Sequence, residues 1–427
     1  MHEKENRCAA ALRKIKGLEQ EKEVMLIVKK FGGTSVGNPD RIRNVAGRCV
    51  EEYKKGNDVV VVLSAMGDST DDLLDMAAQI TSRPSKRELD MLLATGEQVS
   101  VALTAMAVQE MGVPCVSLNA FQIKMHTTAT YGNARFKKID TDRIRNELEN
   151  RKIVFVCGFQ GVNKYGDYTT LGRGGSDTTA VALAASLHAD ACEIYTDVDG
   201  VYTCDPRICP DAVKLKEITY DEMLEMATLG AQVLHNRSVS LAKKYDVPIV
   251  VRSSLSDEEG TVVKEVVTVE KRLISGVAVD KSPARISLIG LQDNPGVAFR
   301  VFNLLSKKGI SSDVILQSIG RDGTKDISFT IDQKNLADAL EVLEANKEKL
   351  TAQKILHKED VAKVSVIGSG MTTDATVAST MFEALYNAGI NINMISTSDI
   401  RITVLLDVKD ADAAARAVHD AFIPAVD

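Results

Sequence analysis

Hydrophobic and polar positions along the chain fall into two regimes. From residue 25 to about 255, short apolar runs rich in Val and Ile alternate with longer stretches of helical periodicity. The runs MLIVKKF (25–31), DVVVVLS (58–64), VPCVSL (113–118), KIVFVCGF (152–159), ACEIYT (191–196) and VPIVVRSS (247–254) predict strands. A helix is predicted over 40–55, and ELDMLLATGEQVSVALTAMAVQEMG (88–112) reads as helical throughout. Near-continuous apolar strands alternating with helices predict an α/β fold, a mostly parallel sheet covered on both faces in three αβα layers. The polar, turn-rich stretch SDEEGTVVKE (256–265) is where this domain is expected to end.

Beyond it the pattern repeats. ARISLIG from Ala284 matches AKVSVIG from Ala362. With one gap, Phe302, Gly309, Ile310 and Ser318 match Phe382, Gly389, Ile390 and Ser398. Each copy reads as the ferredoxin-like order βαββαβ, and the two are expected to pack side by side so that sheet edges are covered. The expected organisation is a polar extension over 1–23, an α/β domain over 24–256, and repeats over 266–345 and 346–427.

Bulk properties narrow the function. A chain of 427 residues predicts two or three domains. The formal net charge of −7 argues against a sequence-independent grip on nucleic acid, which needs clustered Lys and Arg. No uninterrupted apolar run approaches the ~20 residues of a membrane span, and the N-terminus lacks the apolar core of a signal peptide. The seven cysteines are scattered without a C-x-x-C and read as small buried hydrophobes in a reducing cytoplasm.

Four clusters carry candidate chemistry, each at the end of a predicted strand or in a stretch where a charge is out of place; open α/β sheets bind ligands beyond the carboxyl ends of their strands. In the first, Lys30 precedes Gly32 and Gly33. The glycines let backbone N–H groups approach phosphate, and the lysine supplies a point charge for phosphoryl oxygens. This is not a P-loop, because the lysine comes before the glycines. In the second, Ser64 and Thr70 offer hydroxyls to a carboxylate, or simply cap a helix. The third places Glu97 inside an apolar helical stretch, where it needs a partner: a ligand ammonium or a structural cation. The fourth, TTLGRGGSD, sets Arg173, Ser176 and Asp177 at a Gly-rich helix start, a ready anion site with an Arg able to grip a carboxylate by two parallel hydrogen bonds. The Asp-rich run from Thr196 through Asp197, Tyr202, Asp205 and Arg207 suits a nucleotide loop; it lacks the final Glu of a calcium loop.

KFGGTSVG, SAMGD, ATGEQVS, GFQG, TTLGRGGSDTTA and TDVDGVYTCDPR together resemble, in order, the signature segments of aspartate kinases. RGGSD is shared across the wider amino-acid kinase superfamily, and the C-terminal repeats resemble tandem ACT domains. The resemblance implies an amino-acid kinase fold, ATP with Mg²⁺, and L-aspartate as phosphoryl acceptor. It implies that Lys30 stabilises the transferred group with Gly32 and Gly33 near the phosphates. Glu97 would hold the substrate ammonium, and Arg173 the α-carboxylate, positioned by Asp177. Ser64, Thr70, Phe159 and Ser176 would complete that pocket, and Thr196, Asp197, Tyr202, Asp205 and Arg207 would line the nucleotide site.

The family often has Lys and Pro where this chain has Gln232 and Asn236, which removes one charge if that lysine touches ATP. His235 beside them reads as structural. In the first repeat, Asp293, Asn294, Pro295, Gly296 and Val297 open a helix whose free N–H groups and Asp293 suit an amino-acid effector, lysine, threonine or both. The second repeat lacks the Pro-Gly. Assembly through the ACT domains into a homodimer or larger oligomer is expected, with no nucleic-acid or membrane partner. No second catalytic pattern follows, so a single activity is expected, and Met25 is an alternative start. The competing readings are a kinase for another amino acid and a silent amino-acid sensor on the same fold.

Overall fold

The computed structural model describes residues 24–230, 233–266, 273–319, 323–369, 371 and 374–423. The N-terminal extension and Gln232 lie outside them. The chain forms two compact units, one comprising the chain through Thr170 with Ser186–Cys192, the other Leu171–Ala185 with Glu193–Asp427.

The first unit is organised on four parallel strands, Leu26–Phe31, Asp58–Leu63, Ile153–Cys157 and Cys115–Leu118, adjacent in that order. All five residues of Ile153–Cys157 and the last five of Asp58–Leu63 are buried. Their side chains alternate between faces, so both faces are covered, as the apolar runs require. The helix Pro39–Lys54 starts on Asn38, whose side chain accepts from Arg41 N–H, with Pro39 in the first turn. The stretch over 86–110 is long and apolar enough to cross a membrane by length and composition, although Lys, Arg, Glu and Asp near its start interrupt the apolar run. It forms two helices, Lys86–Leu93 and Thr95–Glu110, with Leu93, Val101, Ala105 and Val108 buried and Met91, Val99, Leu103 and Met106 exposed. Its polar residues Asp90, Glu97, Ser100 and Thr104 are buried, and the Thr104 hydroxyl donates to Ser100 C=O of its own helix at 2.8 Å.

In the second unit Ala191–Thr196, Ile249–Ser253, Thr261–Lys264 and Glu217–Thr219 are neighbours in that order. Thr261–Lys264 falls within the stretch expected to be a linker. It is a strand, antiparallel to Ile249–Ser253, and the buried Thr261 accepts from Val201 N–H at 2.8 Å.

The repeats form two four-stranded sheets, and each borrows across the expected limits. Lys354–Lys358, which follows the first repeat, pairs with Pro283–Gln292. Gly276–Asp280, inside the stretch expected for the first repeat, pairs with Val361–Ile367 of the second. Each sheet has its own core, around Phe329 and Leu305 in the first and around Val404 and Met381 in the second. Asp313 joins them: its carboxylate takes Lys363 at 2.6 Å and Arg401 at 3.6 Å, and Arg401 reaches Glu225 on the helix Tyr220–Thr228 at 2.9 Å. Burial would raise the Asp313 pKa, but the two cations hold it below the usual carboxylate range.

Candidate active site

Three loops leave the carboxyl ends of adjacent parallel strands in the first unit, and backbone bonds knit them together. Ser64 N–H donates to Phe31 C=O at 3.2 Å, Gly158 N–H to Leu63 C=O at 3.0 Å, and Gly67 N–H to Gly33 C=O at 3.0 Å. The approach at Gly33 leaves no space for a side chain: a Cβ there would lie 2.8 Å from Ala65 O. This rim brings Lys30, Gly32, Gly33, Ser64 and Phe159 to one edge. Lys30 is half-buried, whereas Lys29 on the opposite pleat is buried and paired with Glu52 at 3.1 Å. Two adjacent lysines therefore have different employment: one is held in the core, the other lies at the rim. Thr70 is half-buried at the second position of the helix Ser69–Ile80.

Glu97 lies in the first turn of Thr95–Glu110 and is 3% exposed. One oxygen accepts from Ala65 N–H at 3.3 Å, and Oε2 has no hydrogen-bond partner among the described residues. Burial pushes its pKa up to about 7, against the smaller effect of backbone hydrogen bonds. Among the described residues no cation pairs with this carboxylate. Phe159 has φ +65°, and Gln160 N–H bonds back to Gly158 C=O at 2.7 Å across it, a strained three-residue turn that sets the ring at the end of Ile153–Cys157.

Two buried residues that sequence reasoning missed hold this arrangement. Gln160 donates through Nε2 to Ala94 C=O at 2.5 Å, fixing the start of the Glu97 helix. Asp90 accepts from Gly132 N–H at 2.9 Å and from both the N–H and hydroxyl of Thr170, at 2.9 and 2.8 Å. It thereby pins the residue from which the Gly-rich turn departs. Asp90, like Glu97, is a carboxylate inside an apolar helical stretch.

In the second unit the Gly-rich turn runs into the helix Gly175–Leu187. Gly174 has φ +64°, and a Cβ there would meet the His235 ring carbon at 2.3 Å. Arg237 donates to Leu171 C=O at 2.8 Å. His235 caps the helix Asn236–Tyr245 by accepting from Arg237 N–H at 3.3 Å, which supports its structural reading. Burial lowers the His235 pKa, while the nearby Asp177 opposes this. Ser176 and Asp177 are buried and Arg173 is exposed.

Of the nucleotide-loop candidates, Thr196 donates to Asp197 at 2.9 Å and Tyr202 to Asp199 at 2.9 Å. Asp205 and Arg207 pair at 2.7 Å, with Arg207 90% exposed. Asp199, not singled out beforehand, also takes Lys214 at 3.2 Å. In the first repeat Gly296 precedes the helix Val297–Lys307 with φ +88°, and Val297 N–H donates to Asn294 C=O at 3.3 Å. Asp293 is already engaged by Lys325 at 2.7 Å, so an amine arriving there competes with a lysine. In the second repeat, Thr372 and Thr373 lie outside the described residues.

Comparison with known proteins agrees with this architecture. Residues 25–253 match the amino acid kinase family, and residues 286–346 and 364–422 match an ACT domain. An aspartokinase of Geobacillus stearothermophilus is 50% identical over 398 residues, covering 93% of this chain and 97% of its own. One from Mycolicibacterium smegmatis is 50% identical over 403 residues, with 93% and 96% coverage. Among solved structures, E. coli aspartokinase III in complex with aspartate and ADP (R-state) superposes with a TM-score of 0.79 at 26% identity, covering 93% of this chain and 99% of that one. The same enzyme with lysine and aspartate (T-state) gives 0.75 at 27% identity, with 93% and 99% coverage. The chain belongs to the aspartokinase family, with an amino acid kinase domain and tandem ACT domains.

Proposed function

We propose that this aspartate kinase transfers the γ-phosphoryl group of ATP to the side-chain carboxylate of L-aspartate, giving 4-phospho-L-aspartate, under allosteric control by an amino acid. The observation that carries the substrate assignment is Glu97: a buried carboxylate with one unpartnered oxygen, at the rim where strand-end loops converge. An α-ammonium group supplies the missing charge. Arg173 grips the α-carboxylate, with Asp177 and Ser176 holding the turn, and Ser64, Thr70 and Phe159 shape the pocket. Lys30 neutralises charge on the transferred phosphoryl group, while Gly32 and Gly33 admit the phosphates. Thr196, Asp197, Tyr202, Asp205 and Arg207 receive the nucleotide, and Mg²⁺ arrives with ATP.

The acceptor carboxylate is ionised at neutral pH, so no general base is needed. Catalysis rests on alignment and charge neutralisation, the chief resources of phosphoryl transfer. The product opens the route to lysine, threonine and methionine, and lysine, threonine or both are the effectors. Asp293, Asn294, Pro295, Gly296 and Val297 form the effector site in the first ACT domain. The enzyme works in the cytoplasm as a homodimer or larger oligomer assembled through its ACT domains.

The test is turnover of Mg·ATP with L-aspartate, trapping the acyl phosphate with hydroxylamine, with and without lysine and threonine. Hydroxamate from aspartate and not from glutamate is expected, with inhibition naming the effector. Folded protein that yields no hydroxamate refutes the assignment.

A further inference from the structure

The described cysteines are all buried and none is in a disulfide. Two of them nevertheless face each other. Cys204 Sγ and Cys209 Sγ lie 2.7 Å apart, inside the van der Waals separation of two sulfurs and short of the ~2.05 Å of a disulfide bond. They bracket a single turn in which Asp205 C=O accepts from Ile208 N–H at 2.8 Å and Cys209 N–H at 2.9 Å. Both belong to the core of the second ACT sheet, among Ile274, Val277 and Val418. The chain just before them is held firmly: Thr203 C=O accepts from Val277 N–H at 2.7 Å, and Thr203 Oγ1 shares a hydrogen bond of 2.9 Å with His419 Nε2. Within and beside the same turn Pro206, Arg207 and Pro210 are exposed, while Cys204 and Cys209 are 3% and 2% exposed.

We propose that Cys204 and Cys209 form a reversible redox site, a dithiol that a hydroperoxide closes to an intrachain disulfide. Cys209 is the nucleophile. Its hydrogen bond with Cys204 holds its pKa below the usual thiol range, opposed by burial, Asp420 and Asp205 and aided by Arg416, while the same bond and burial raise that of Cys204. The Cys209 thiolate attacks the hydroperoxide, forming an S–O bond as the O–O bond breaks; the alkoxide that leaves (hydroxide from hydrogen peroxide) takes up the proton that Cys209 gave up and departs as an alcohol or water. Cys204 then attacks the sulfenic sulfur. The S–S bond forms, the S–O bond breaks, and hydroxide leaves as water with the Cys204 proton. Two thiols are oxidised by two electrons and one peroxide is reduced. The sulfurs need to move by only a fraction of an ångström, so the surrounding core is kept.

The consequence falls on the turn between them. Asp205 and Arg207 pair with each other in this conformation, and contact with a nucleotide requires Arg207 to turn away. A cross-linked turn holds the pair in place, so oxidation raises the KM for ATP. This part rests on reading Thr196–Arg207 as the nucleotide loop; the chemistry at sulfur does not.

The test treats the full chain with hydrogen peroxide, alkylates it after denaturation, and maps peptides by mass. The expected product lacks two hydrogens, links Cys204 to Cys209 and is restored by dithiothreitol; Cys204→Ala and Cys209→Ala each abolish the link. ATP titrations of the same samples should show a severalfold rise in KM on oxidation, reversed by reduction and missing in Cys204→Ala. Full alkylation of both thiols, at a peroxide dose that consumes free cysteine, overturns the proposal. A disulfide that leaves the KM unchanged overturns the link to the nucleotide loop while leaving the aspartate kinase reading intact, because hydroxamate formation is scored separately.

Discussion

Replacing Glu97 by Gln separates a substrate ligand from a structural carboxylate. In the free enzyme the Glu97 pKa rises from 4.5 to about 7 because burial disfavours the anion. At roughly 1.4 kcal/mol per pH unit, ionising Glu97 in the folded protein costs about 3 kcal/mol. The sign follows from the direction of the rise. Its contribution to stability is fully present below about pH 4.5 and is lost as pH climbs through about 7. Glu97→Gln removes that loss. Without aspartate, the variant should therefore gain stability relative to wild type between pH 5 and pH 8, by up to about 3 kcal/mol. Aspartate reverses the preference, because its ammonium favours the ionised carboxylate. Wild-type affinity for aspartate should climb with pH, by up to about tenfold per unit below the Glu97 pKa, and level off above it. The variant should bind weakly and without this dependence. Urea melts at pH 5.5 and 8 give the stability arm. Carbon NMR of labelled glutamate carboxyls, with and without aspartate, gives the titration directly. A Glu97 resonance titrating near 4.5, or one unmoved by aspartate, refutes the reasoning.

Asp90→Asn leaves three donors from Gly132 and Thr170 facing a weaker acceptor that also carries N–H groups. The expected cost is roughly 2–4 kcal/mol in urea midpoint together with reduced kcat/KM, and a neutral variant would contradict the positioning role. Gly174→Ala combines a positive φ with a collision on His235; it should lose about 2 kcal/mol or more and most activity. Adding His235→Gly, which removes the Cβ and the ring carbon that both lie 2.3 Å from the new methyl, should return the collision part in denaturation and kinetic assays but not the backbone part. Asp293→Ala should abolish effector inhibition without altering uninhibited turnover, and Lys325→Ala, which frees Asp293, should lower the effector concentration for half-inhibition. Equal inhibition curves for both variants and wild type would exclude that site.

What could be read from the chain was decided by whether a residue's type was at odds with its surroundings. The parallel strands were legible because runs such as DVVVVL carry too little polarity for an exposed face, and they recur as Asp58–Leu63 and its neighbours. Thr261–Lys264 was not: four residues after a run of acids resemble a linker, and what makes them a strand is the antiparallel partner Ile249–Ser253, which no local preference announces. The same holds for the ACT sheets. Repeat similarity located both copies, but the exchange of Gly276–Asp280 and Lys354–Lys358 concerns which strand lies beside which, and a five-residue edge strand does not encode its partner. Within the site, Glu97 was conspicuous as an acid in an apolar helix. Asp90 broke the same rule but had no motif around it to suggest a ligand, and its partners, the backbone of Gly132 and Thr170, are remote in sequence. Lys29 and Lys30 make the limit plain. They are chemically identical neighbours, and alternation along a strand requires that they face opposite ways. Only the position of Glu52, on a helix that packs against one of those faces, decides which lysine is paired in the core and which lies half-buried at the rim.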